Sequence, residues 1–98
     1  MTKEAFKEQV NAWAARIDVP VHRLTLRPMR TKWASCSTNG HLTFNDELLD
    51  LPPALTEYVI VHELVHLKVP NHGKLWKAFM LAYCPDHEAL AKQLPKRE

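Results

Sequence analysis

The stretch from Ala54 to Leu67 constrains the fold most: an apolar run bounded by Pro52-Pro53 on one side and Pro70 on the other. Proline is favoured in the first turn of a helix and excluded from its interior, so these residues bracket one helix, 53–68. Val59, Ile60, Val61, Leu64, Val65 and Leu67 populate several of its faces. A helix that is apolar all round is buried all round, so other elements must wrap it. Set into this run are His62, Glu63 and His66. Burying a carboxylate and two imidazoles costs on the order of several kcal/mol unless they are satisfied. Leu or Val at those positions would stabilise the fold more, so the pattern implies a group that satisfies all three.

The spacing names the chemistry. Residues four apart share a helix face, so His62 and His66 can point at one metal ion, while Glu63 is displaced around the axis toward a metal-bound water. A catalytic zinc takes three protein ligands and keeps one position open. Two residues compete for the third place. His72 follows His66 by six residues, with Pro70 breaking the helix between them and turning the chain back; Glu88 lies on a later helix, as in gluzincins. The His66–His72 spacing also equals that of metzincins, but Val69 stands where their glycine falls and no separate Met-turn is evident. Zinc polarises a carbonyl and activates water, and a neighbouring carboxylate moves the proton, which suits peptide-bond hydrolysis.

Elsewhere the periodicity gives a compact set of elements. Phe6, Val10, Trp13 and Ile17 form one helical stripe, with Thr2 placed to cap it and Pro20 beyond it. Arg23 to Arg27 alternates polar and apolar and reads as a half-buried strand ended by Pro28. Residues 32–37 and 41–45 flank Thr38-Asn39-Gly40, where Asn-Gly readily supplies two positive φ angles, and so form an antiparallel hairpin. Asp46 to Leu51 reads as a loop or short helical turn. A third helix is expected from His72 to Tyr83, a last one from an Asp86 cap to Leu94, and a frayed charged tail over residues 95–98. The order predicts an α+β domain: a helix on a three-stranded antiparallel sheet, the histidine-bearing helix, and further helices after it.

Composition narrows the class. Ninety-eight residues suit one domain, 1–98, with one modest core. No apolar run reaches 18 residues and the N-terminus lacks a signal-peptide pattern, so no membrane partner is expected and the expected location is cytoplasmic. Cys36 and Cys84 alone make no disulfide framework. The net charge of +2 hides a division. Residues 1–32 sum to +4 and residues 67–98 to +3, while residues 33–66 hold five acids and no Lys or Arg. The dispersed basic residues make a nucleic-acid partner unlikely on physical grounds, and a metal ion is the natural missing charge of the middle third.

Val61-His62-Glu63-Leu64-Val65-His66-Leu67, then Asn71-His72 and Trp76, resembles the YgjP-like metallopeptidase family, related to the SprT-like zincins. Lys32-Trp33-Ala34-Ser35-Cys36-Ser37 is similar to that family's Trp-Gly-Ser-Cys-Ser hairpin, with Ala34 in the glycine's place, and Tyr83-Cys84-Pro85-Asp86 extends the likeness. The resemblance covers roughly residues 27–94. It implies a minimal zincin-like fold, Zn2+ as cofactor, His62, His66 and His72 as ligands rather than Glu88, Glu63 as general base, and a peptide or protein substrate. Two other functions stay open: hydrolysis of nucleotide pyrophosphates, disfavoured by the acidic middle third and the absence of a glycine-rich phosphate loop, and a latent metal-binding interaction module.

Other residues carry weaker expectations. His41 to Asn45 could be an edge strand on which an extended peptide adds, or an ordinary hairpin strand. Trp33, Trp76 and Phe79 read as packing, Cys36 as a small hydrophobe, and His22 and His87 as surface residues. Tyr83 could face the metal and stabilise an oxyanion, though packing is the simpler role.

Overall fold

The computed structural model describes residues 1–95. Four helices and one small sheet follow in the order α1 (Lys3–Ile17), β1 (Arg23–Arg27), β2 (Ala34–Cys36), β3 (His41–Asn45), a 3-10 turn (Asp46–Asp50), α2 (Pro53–Lys68), α3 (Lys74–Tyr83) and α4 (His87–Gln93). Helix α2 is the axis on which the rest is assembled. It buries Leu55, Tyr58, Val59, Ile60, Val61, Leu64 and Val65 together with Thr56 and Glu63. Its prolines start it as expected, and the buried Thr56 hydroxyl donates to the Leu48 carbonyl at 2.7 Å, fixing its first turn to the 3-10 turn.

Helix α1 is capped by the Thr2 hydroxyl, which accepts from the Ala5 N–H at 3.1 Å, and ends at Asp18 in the left-handed conformation (φ 65°). The Lys68 ammonium, at the far end of α2, donates to the Ile17 carbonyl at 3.1 Å. A cation at a helix C-terminus complements the unpaired carbonyls there, so this contact sets how α1 lies on α2. Phe6 of α1 meets Phe44 of the sheet edge-to-face at 5.1 Å between centroids.

The sheet is mixed, in the order β1-β3-β2, and not antiparallel throughout. Strands β2 and β3 form the expected antiparallel hairpin, but β1 pairs with β3 in parallel, Leu24 beside Leu42 and Leu26 beside Phe44. The reason is connectivity: residues 28–40 carry the chain across the sheet and back, long enough for a parallel crossover. The strand His41–Asn45 is therefore central and offers no edge to a peptide, with Leu42 and Phe44 fully buried. The free edge beside α2 belongs to β2. The turn also differs in detail. Gly40 alone takes a positive φ (80°), and the Gly40 N–H bonds the Ser37 carbonyl at 3.1 Å, giving a three-residue loop in place of a two-residue one.

Among the described residues no helix is long and apolar enough to cross a membrane. The expected tail lies mostly outside the described residues, of which Pro95 is the last.

Candidate metal centre

Helix α2 presents Tyr58, His62 and His66 at successive four-residue steps, one stripe along one face. Val69 ends the helix with its N–H on the Val65 carbonyl at 2.7 Å, and residues 70–73 fold back before α3 begins at Lys74. His72 thus sits in the connection and does not open the third helix. That return brings the His72 Nε2 to 2.7 Å from the His66 Nε2. One nitrogen each from His62, His66 and His72 lie within 4.8 Å of one another. Glu88, the alternative third residue, is exposed on α4 and is not part of this cluster.

Trp76 of α3 floors the cluster. Its ring lies 5.3, 5.7 and 4.5 Å from those of His62, His66 and His72, and 6.2 Å from that of His87. The indole N–H is buried without a hydrogen-bond partner. His87 is half-buried against this tryptophan rather than free on the surface. Phe79 and Tyr83 stack on each other at 6.2 Å, and Tyr83 meets Trp13 edge-on, so Tyr83 serves packing.

The donor set fits a zinc ion. Three imidazoles with facing nitrogens are a borderline-soft set suited to that metal. Burial, and then the neighbouring His62, hold the His66 pKa below its ordinary value, partly offset by Glu63. His66 is thereby kept neutral, the state in which it can ligate. The Glu63 carboxylate is buried and meets the His62 Nδ1 at 3.1 Å. A proton on that Nδ1 leaves the His62 Nε2 lone pair available, the arrangement in which a second partner orients a ligating histidine.

Two residues gain roles their sequence context did not suggest. Cys36, on β2, has its thiol pushed up to about 11 by burial, by the Glu63 charge and by a hydrogen bond with that carboxylate. It is a protonated neighbour of Glu63 and not a nucleophile. Trp33 is half-buried, and its indole N–H donates to the Pro95 carbonyl at 2.7 Å, tying the start of β2 to the segment after α4. The loop bearing Trp33 is held by fully buried Asn45, whose amide donates to the Met29 and Lys32 carbonyls at 2.9 and 3.1 Å. The Asn45 N–H donates to the Trp33 carbonyl itself at 2.9 Å.

Tyr58 was marked by nothing except its position one turn before His62. Its ring lies 5.6 Å from that imidazole, and it lines the same cavity as Glu63. Burial, then Cys84, then Glu63 push its phenol pKa up, so it remains a neutral hydroxyl.

Comparison with known proteins gives the fold its relatives. The chain is similar to the metallopeptidase zymogen of Pyrococcus abyssi abylysin, at 18% identity, TM-score 0.79 and 90% coverage of both chains. It is also similar to the metallopeptidase zymogen of Methanocaldococcus jannaschii jannalysin, at 26% identity and TM-score 0.76, covering 90% of this chain and 94% of that one. A search of curated protein sequences finds no match. The family description "YgjP-like, metallopeptidase domain" matches residues 1–97, a longer span than the motifs alone mark out. The match along nearly the whole chain places this protein in the YgjP-like metallopeptidase domain family.

Proposed function

We propose that this protein is a zinc-dependent peptidase in which His62, His66 and His72 hold the metal and Glu63 is the general base. The observation that carries the reading is the convergence of three imidazole nitrogens within 4.8 Å beside a buried carboxylate. When bound, zinc supplies a Lewis acid that polarises a carbonyl and brings the pKa of water to about 7. Glu63 takes a proton from the attacking water and passes it to the departing amine nitrogen. The Cys36 thiol, pushed up to about 11, stays protonated beside Glu63 and does not compete as a nucleophile. The free edge of β2, running alongside Glu63, suits an extended peptide paired through its backbone, the role the sequence suggested for β3.

The test is cleavage of unfolded casein beside release of phosphate from nucleotides, before and after chelation and zinc return. Zinc-dependent casein cleavage alone is expected; zinc-dependent phosphate release alone would replace the reading with nucleotide hydrolysis.

One contact favours a second, latent reading. Trp33 bonds Pro95, and Leu94 and Pro95 border the cavity that holds Glu63. The jannalysin structure, 26% identical, is described as a zymogen. Truncation after Gln93 distinguishes the two states: a rise in casein cleavage means the segment blocks the cleft, and a fall means it builds the cleft.

A further inference from the structure

The cleft beside the histidines is not uniform. On the Glu63 side lies a cavity of about 420 Å³, within the roughly 300–1,000 Å³ typical of ligand pockets. Trp33 and Ala34 line it from the β2 side, Tyr58 and Val59 from α2, and Leu94 and Pro95 from the residues after α4, with Lys32, His62 and Glu63 as its charged and polar lining. On the His66 side a smaller cavity, about 310 Å³, is bordered by Ser37, Thr38, Leu67 and Pro70. The two flank the residues assigned to the reaction, one on either side along β2.

We infer that the larger cavity is a specificity pocket that takes the large apolar side chain (leucine, methionine or phenylalanine) of the residue next to the bond being cleaved. The inference rests on the peptidase reading and names its substrate class. Its walls are mostly apolar and aromatic, and such surface gains by excluding water from another apolar group. Lys32 also lines the cavity, but it is exposed and its charge is screened by water, whereas Glu63 is buried and its charge would oppose a substrate carboxylate. A substrate cation there would pair with Glu63 and compete with its work as a base. Position ties the pocket to the reacting bond, because His62 and Glu63 belong to its lining. The walls are also fixed before substrate arrives. Trp33 is held by its bond to Pro95 and, through its own carbonyl, by Asn45, while Val59 and Tyr58 are locked in the buried helix. A preformed pocket spends little binding energy on ordering itself.

The experiment has two readouts on the full chain. First, the zinc-loaded protein cleaves a mixed peptide library and the sites are mapped by mass spectrometry. Leucine, methionine or phenylalanine beside the cleaved bond should exceed alanine by about 10-fold or more in kcat/KM, the scale at which apolar pockets discriminate. Ala91→Trp, which fills the pocket from an exposed position on α4, should abolish that preference. Ala34→Leu, which narrows it from β2, should act in the same direction. Second, the Trp33 indole N–H resonance is followed while N-acetyl-leucine amide or N-acetyl-alanine amide is added. The leucine probe should shift it at lower concentration than the alanine probe. Cleavage without side-chain preference, with equal response to both probes, overturns the pocket and leaves the peptidase reading standing. A selective leucine response without any hydrolysis keeps the pocket and overturns the peptidase reading.

Discussion

His66 and His72 meet Nε2 to Nε2 at 2.7 Å across the break made by Pro70. At that distance the two imidazole nitrogens share a proton, and a metal ion held by both would take that proton's place with the rings slightly further apart. This predicts that His72→Ala weakens zinc binding by more than the roughly 10–100-fold that loss of an outer-shell partner costs. Glu88→Ala, on an exposed part of α4, should leave zinc affinity unchanged. Competition with a chromophoric chelator measures both. Retained zinc in the first variant with lost zinc in the second would transfer the third place to Glu88.

Cys36 gives a prediction about pH. Its ordinary value is 9.0, and in the folded chain it is pushed up to about 11. Between those values the folded chain keeps a proton that the unfolded chain releases, so stability falls as pH rises through that window. Alkylation by iodoacetamide at pH 8 should be slower in the folded protein than in urea, and should accelerate toward pH 11. An equal rate in both states would show that Glu63 and burial do not hold the thiol.

Asn45 holds three backbone groups of the loop before β2 and the turn after β3: the Met29 and Lys32 carbonyls, and the Glu47 N–H at 3.0 Å. Asn45→Ala strands these partners and should cost about 1–3 kcal/mol. Urea unfolding measures the loss. The same variant should speed hydrogen exchange at the Trp33 indole, since the loop carrying it loses its anchor. Unchanged stability would show that these bonds are replaced by solvent without cost.

How far the chain could be read in advance follows from where its signals are local. The ends of α2 are written in Pro52-Pro53 and Pro70, and the Thr2 cap and the Thr38-Asn39-Gly40 turn are likewise short-range patterns. The parallel pairing of β1 with β3 has no such signal, because no turn joins them and only the face shared by Leu24, Leu26, Leu42 and Phe44 selects it. His62, Glu63 and His66 stood out because polar groups in an apolar run need a reason, and His72 by its place just past Pro70 and by the family resemblance. Tyr58 and Trp33 did not, because an aromatic residue near a core looks like packing until the cavity is visible. Asn45 looked like an ordinary residue ahead of a polar turn, and its burial depends on a loop that only the folded chain brings to it.

Gly40 tests the hairpin independently of the site. It has φ 80°, and a Cβ there would stand 2.6 Å from the His22 Cδ2. Gly40→Ala should destabilise by about 1–2 kcal/mol from the left-handed backbone alone, with the His22 ring displaced to make room. Thermal unfolding followed by circular dichroism reads the change, and an unaltered midpoint would mean the turn adopts another form.

The assignment of Glu63 as the proton carrier stands or falls on Glu63→Gln, assayed for bound zinc and for casein cleavage in the same preparation. The substitution keeps the shape and removes the base, so zinc content should match the parent while turnover falls by about 10²–10⁴-fold. Full turnover with full zinc would contradict the account.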